Sequence, residues 1–295
     1  MSGKAPRSAY WHLHTAVFLF GFTGILGELI QLDATMLVWH RMWMTAIMMG
    51  IYVRVIGVWR WPGWKAMGEI AAVSSAIVAH WVLFYASIKY ASVSVAMICL
   101  SSITLFTALL EPLLLKRRFS WWEGAFSVLV IVGVAFMAED QNKHIGGILI
   151  GLASSFFSAL FTVLNKRMVG KYDSRLLSML ELSSGFALLT VLLPLVFWWM
   201  PAPYLMPVPS DWLYLFCLSF FCTVVAFNLS LSSLRYLSPF TVNLAINLEP
   251  VYGILLAFAV FKEYEGLGPG FYLGAVCILM AVTAEILYKR FALRA

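Results

Sequence analysis

The sequence predicts an all-α integral membrane protein of ten transmembrane helices, arranged as two inverted five-helix repeats. Apolar residues make up 62% of the chain and charged residues 12%, about half the share in soluble domains. Apolar runs of roughly 20 residues, the length that crosses a bilayer, recur along the whole chain. The segment YASIKYAS, Tyr85 to Ser92, followed by an apolar run and KRRFSWWEG, also returns 146 positions later as LSSLRYLS, Leu231 to Ser238, followed by an apolar run and KEYEGLGPG. Lys89 then falls on Arg235, Tyr90 on Tyr236, Ser92 on Ser238, Lys116 on Lys262 and Gly124 on Gly270. Such a duplication makes each half a structural unit, 1–140 and 141–295.

The predicted spans are 12–31, 35–56, 66–86, 94–115, 122–138, 146–168, 175–199, 211–233, 240–261 and 269–288. The chain starts with the basic, polar SGKAPRSAYWHLH and has no small-residue cleavage pattern, so the first run reads as a retained helix. In that span Gly21, Gly24 and Glu28 share a face, and the glycines are read as packing devices. Glu28 and Arg41, across the tight connection to the second span, read either as a structural ion pair near the interface or as an outer gate. Trp39 and Trp43 of the second span are candidate cavity walls. In the third, His80, Trp81 and Phe84 share one helical face. His80 reads either as a histidine bonded to a neighbouring helix or as a cavity residue, and a coupling proton is open to it because free imidazole titrates at about pH 6.5. Glu111, one turn above Lys116 to Arg118, is expected to snorkel to the interface.

The sixth span carries Ser154, Ser158, Phe161 and Asn165 at helical spacing, with Asn165 the cavity candidate. Glu181, in the second turn of the seventh span, is expected to reach the nearby boundary. Asn228, alone in the eighth, is read as an interhelical hydrogen bond. In the ninth span Asn243 and Asn247 share a face, whereas Glu249 projects from another and precedes Pro250, whose missing N–H bends a helix. Glu249 is either a contact for an amine or cation, or a carboxyl that locks packing. Trp59, Trp61, Trp64, Trp121, Trp122, Trp198, Trp199 and Trp212 fall at predicted interfaces as an aromatic belt.

Orientation follows from the basic residues of the connections. One side holds Lys4, Arg7, Arg54, Arg60, Lys65, Lys116, Arg117, Arg118, Lys166, Arg167, Lys171, Arg175, Arg235, Lys289, Arg290 and Arg294; the other holds Lys89, Lys143 and Lys262. Both termini are therefore expected in the cytoplasm, and the net charge of +6 reflects topology and implies no nucleic-acid partner. Each half has an odd number of spans, so equivalent connections lie on opposite sides. The basic Lys116 to Arg118 and its partner Lys262, Glu263, Tyr264, Glu265 fit that reversal.

Ten spans in two halves, the paired YASIKYAS and LSSLRYLS, and NLEPVYGILLAF from Asn247 to Phe258 resemble the drug/metabolite transporter superfamily of EamA type. The resemblance implies a secondary transporter of the bacterial inner membrane, commonly an exporter of amino acids, other metabolites or organic cations, with the fifth and tenth helices peripheral. It implies a proline early in the fourth helix of both halves, whereas Pro250 is answered by Thr104.

The expected site is thus a cavity lined by His80, Trp81, Phe84, Trp39, Trp43, Asn165, Asn243, Asn247 and Glu249, with Glu28, Arg41 and Pro250 as gating residues. Its partners are the lipid bilayer and a small solute, with a coupling proton as an open option. Phosphorylated or lipid-linked metabolites are the alternative cargo, which would want a cavity arginine. A non-transporting enzyme or assembly factor is the other class. Cys99, Cys217, Cys222 and Cys277 lack metal-ligand spacing, and neither HExxH nor a phosphate-binding loop is present, so no enzyme chemistry, metal or cofactor is expected.

Overall fold

A computed structural model describes residues 6–116, 121–140, 145–199 and 204–292. Lys4, Arg117, Arg118, Lys143 and Arg294 of the charge count lie outside the described residues. The first half comprises α1 (Arg7–Phe20) and α2 (Thr23–Leu29) in one broken rod, α3 (Ala34–Val55), α4 (Trp64–Tyr90), the broken pair α5 (Val93–Leu100) and α6 (Ile103–Leu115), and α7 (Trp121–Asp140). The second comprises α8 (Ile145–Asn165), α9 (Ser174–Trp199), then α10 (Pro209–Ser219) and α11 (Ala226–Leu234) joined by a π-helical turn at Phe220–Val225. After these come the broken pair α12 (Pro239–Ile246) and α13 (Glu249–Phe261), a 3₁₀ turn at Glu263–Gly266, and α14 (Pro269–Ala292).

Among the described residues, seven rods are long and apolar enough to cross a membrane: Arg7–Leu29, Trp64–Tyr90, Val93–Leu115, Ile145–Asn165, Ser174–Trp199, Pro209–Leu234 and Pro239–Phe261. Ala34–Val55, Trp121–Asp140 and Pro269–Ala292 occupy the positions of the remaining predicted spans but fall outside that group. The fold is all-α and membrane-embedded. Both α7 and α14 stand apart from the main hydrophobic core and pack chiefly against one another.

The duplication is written into local structure. Ser92 caps α5 by accepting from Val95 N, and Ser238 caps α12 by accepting from Thr241 N, each satisfying a donor that the first helical turn leaves open. The fourth rod breaks at Ser101–Ser102 and its counterpart at Asn247–Leu248, at equivalent positions of the repeat. Both rods end on a left-handed lysine, Lys116 with φ 54° and Lys262 with φ 55°. The halves therefore break alike although Thr104 stands where Pro250 stands in its mate. Pro250 lies in the first turn of α13, where a missing N–H breaks no helical bond.

Acidic side chains hold the two halves together end to end. Glu111 accepts from Phe240 N at the start of α12 (3.1 Å), and Glu263 accepts from Val93 N and Ser94 N at the start of α5 (3.2 and 2.9 Å). Both carboxylates meet the positive end of a helix dipole. Glu111 is buried, so the interfacial position expected for it is corrected: a backbone N–H donor of the opposite half reaches its carboxylate inside the protein. Outside the membrane segments, Asp173 caps α9 and takes two bonds from the Arg175 guanidinium, which hold its carboxyl below the usual carboxylate range.

Candidate solute cavity

Between the halves lies a narrow, partly open cavity of about 70 Å³, lined by α1, α2, α3, α4, α5, α8, α11, α12 and α13. Its walls are Phe20, Ile77, Trp81, Phe84, Phe161 and Phe227; its polar groups include Thr23, Arg41, His80, Tyr85, Ser158, Ser230 and Glu249. Repeat mates face one another across it. Trp81 and Phe227 stack edge to face at 6.1 Å, and Phe84 with Ser230, Tyr85 with Leu231, and Leu100 with Ile246 are further lining pairs at the repeat spacing.

Arg41 is 2% exposed and held on three sides. Its Nε donates to Thr223 Oγ1 (2.8 Å), one terminal nitrogen to Tyr85 OH (2.9 Å), and the other to Cys222 O (3.3 Å). The guanidinium lies over the Trp81 ring at 3.8 Å. Three of its five N–H donors are thereby engaged. The π-helical turn explains the fit: Thr223 and Cys222 belong to it, and a π-turn re-aims side chains that an α-helix would rotate away. Glu249 is 6% exposed and accepts from Thr23 Oγ1 at 3.1 Å. Arg41 and Glu249 line one cavity, yet no ion pair joins them among the described residues. The guanidinium and the carboxyl therefore share one buried cavity without satisfying each other.

Other residues lie elsewhere than the sequence suggests. Glu28 pairs with Lys89 (3.6 Å), so the Glu28–Arg41 pair is corrected: the lysine at the end of α4 reaches the exposed end of α2, and Arg41 turns inward to Tyr85. His80, Trp81 and Phe84 line the cavity together; His80 also bonds to the neighbouring helix, Nδ1 lying 2.8 Å from Ser154 Oγ. Trp39 and Trp43 do not line it. Trp39 Nε1 donates to Thr190 Oγ1 and Trp43 Nε1 to His40 Nδ1, because their side of α3 faces α9 and α10. Asn243 and Asn247 stay in the seam between α12 and α6, donating to Thr107 Oγ1 (2.7 Å) and Thr104 Oγ1 (3.3 Å). Asn165 lies one turn beyond Phe161 and Thr162, outside the cavity, and Glu181 is buried beside it without reaching a boundary. Periodicity along one span does not point to Thr23, Tyr85, Ser230 or Phe227, although Phe227 and Ser230 stand at the repeat positions of Trp81 and Phe84, and Tyr85 adjoins Phe84.

Each end of the cavity carries a lysine latch. At the end holding the C-terminus of α2, Lys89 Nζ donates to Glu28 O (3.1 Å) and Ile30 O (2.8 Å). At the end holding the start of α1, Lys166 Nζ donates to Leu234 O and Leu237 O, both at 2.6 Å, and Ser233 Oγ donates to Ala9 O (2.8 Å). Terminal helix carbonyls lack helical partners, and a lysine satisfies them.

A cavity with aromatic walls and a few buried polar groups, set between two halves of duplicated structure in a membrane-embedded helical fold, fits a transporter of the two-repeat kind. The chain belongs to the EamA-like transporter family, whose model matches residues 7–138 and 145–284, one repeat in each half. A solved structure described only as the crystal structure of a protein is similar over 96% of this chain and 98% of its own, with a TM-score of 0.71 at 16% identity; that likeness shows the fold alone. No curated protein matches the chain.

Proposed function

We propose that the chain is a ten-span secondary transporter whose inverted halves, 1–140 and 141–295, move small zwitterionic solutes of amino-acid type by alternating access. The observation that carries this reading is the pair Arg41 and Glu249, buried in one cavity and not paired with each other. A carboxylate on the unclaimed Arg41 donors and an ammonium toward Glu249 satisfy both, since charge-assisted bonds are strongest where water is absent. Trp81, Phe84, Phe161 and Phe227 then receive an apolar side chain.

A simple organic cation fits less well, because Arg41 already occupies the Trp81 face that would attract it. A phosphorylated solute would bring a dianion to a single arginine with Glu249 close by. The lysine and arginine count supports cytoplasmic termini in a bacterial inner membrane, and outward movement follows the habit of the superfamily.

Counterflow in proteoliposomes tests the reading with three radiolabelled probes: phenylalanine, phenethylamine without the carboxylate, and phenylpropionate without the amine. Phenylalanine is expected to exchange, and each truncated probe to lose roughly 10-fold or more, since each leaves one buried charge unmatched. Equal exchange of phenethylamine and phenylalanine would refute the zwitterion site. Absence of exchange for every probe would refute the assignment of solute.

A further inference from the structure

Glu181 is a buried carboxyl that neither the cavity nor a helix cap uses. It is wholly buried in α9, and the one hydrogen-bonding group set against its two oxygens is the Asn165 side chain. Asn165, the last residue of α8, is equally buried and lies beside it, its amide meeting no partner other than Glu181. A carboxyl and an amide with only each other for partners at one buried point are an expensive arrangement for packing alone.

No cation answers this carboxyl among the described residues. Helix α9 packs against α3, α4 and α11. On α3, His40 meets Leu205 O, Arg41 is held at Thr223, Tyr85 and Cys222, and Arg54 lies over Trp59. On α4, Lys65 is exposed, Glu69 pairs with Lys171, His80 meets Ser154 and Lys89 meets Glu28. Helix α11 has no charged residue. Lys166, next after Asn165, is spent on Leu234 O and Leu237 O, and Arg175 on Asp173.

We propose that Glu181, with Asn165 as its acceptor, is a proton-binding site that couples the opening of the cavity floor to pH. The carboxylate takes one proton on an oxygen, going from charge −1 to neutral, and the resulting O–H donates to Asn165 Oδ1. A metal ion fits poorly: the two side chains offer at most three oxygens, against about six or more for a hard divalent cation, and the described residues hold no metal-binding cluster. An ionised carboxylate in a dry interior is costly by several kcal/mol, so the unprotonated state calls for water. Asn165 lies between the cavity residues Phe161 and Thr162 and the latch residue Lys166. Water reaching Glu181 must therefore loosen the floor that the Lys166 latch closes, while a bound proton lets it stay shut.

Coupling rests on the transporter reading, whereas proton binding does not, and two measurements separate them. Infrared difference titration of the full chain in detergent is expected to show a protonated-carboxyl band that is absent in E181Q and shifted in N165A. A spectrum unchanged by both substitutions would overturn the proton site. In proteoliposomes, phenylalanine movement is expected to respond to an imposed pH gradient in the natural protein and to lose that response in E181Q. A response retained in E181Q, or one to a sodium gradient alone, would overturn the coupling. Loss of the infrared band together with no phenylalanine movement would uphold the proton site while refuting the solute.

Discussion

Arg41→Gln is expected to lower phenylalanine exchange by about 100-fold or more. A bond to a charged group contributes roughly 1.5–3 kcal/mol, the proposed site sets two donors of one guanidinium against the solute carboxylate, and about 1.4 kcal/mol is tenfold in affinity. Arg41→Lys keeps the charge but loses the planar fork and is expected to fall between. Arg41 also ties α3 to the π-helical turn through Thr223 and Cys222 O, so each variant needs its thermal unfolding midpoint measured. Tyr85→Phe is the control: it removes one anchoring bond, is expected to cost about 1 kcal/mol of stability, and leaves the guanidinium in place. Exchange by Arg41→Gln within a fewfold of the natural protein would remove the arginine from the site.

The second large effect is expected from Gly27→Val. A Cβ at Gly27 would run into Cε1 and Cδ1 of the Tyr85 ring. That ring has little room to yield, being fully buried and fixed by Arg41 at its hydroxyl and by Phe84 edge to face at 5.4 Å. Overpacking a rigid contact costs roughly 1–3 kcal/mol, and relief by moving Tyr85 displaces Arg41. Both thermal stability and exchange should fall. Gly24→Ala meets the flexible end of Met97 and, at 2.9 Å, a methyl of Val93, and as the smaller substitution should cost less. Gly50→Ala, inside α3, meets nothing within 4 Å and should hold or raise the unfolding midpoint. Equal midpoints for Gly27→Val and Gly50→Ala would show that α2 and α4 do not pack this closely.

Most of the fold is legible in the repeat. Its spacing carries over to the caps at Ser92 and Ser238, the breaks after Leu100 and Ile246, and the left-handed lysines Lys116 and Lys262. Local chemistry in equivalent sequence builds equivalent turns. The cavity is legible where a helical face announces itself, as with His80, Trp81 and Phe84. It is not legible where the partner lies on another rod. Arg41 reads as interfacial because Glu28 is near in sequence, yet the choice between Glu28 and Tyr85 depends on which rod packs against α3. Asn243 and Asn247 read as pore residues because polarity in a span is costly, yet Thr107 and Thr104 of the mated half satisfy them. Glu181 reads as interfacial by its distance from the helix end, but α9 is buried there between α3 and α4.

Sidedness of the cavity tests the central claim most directly. In a chain with its four native cysteines replaced by serine, a single cysteine at Ser230 reports on the cavity wall. Reconstituted in vesicles, it should be labelled by a membrane-impermeant maleimide from either side, and phenylalanine, but not phenethylamine, should slow labelling from both. Lys89→Met and Lys166→Met should each favour labelling from the side whose latch is released. Labelling from one side only, or labelling that phenylalanine leaves unchanged, would contradict an alternating cavity that binds the solute between the two halves.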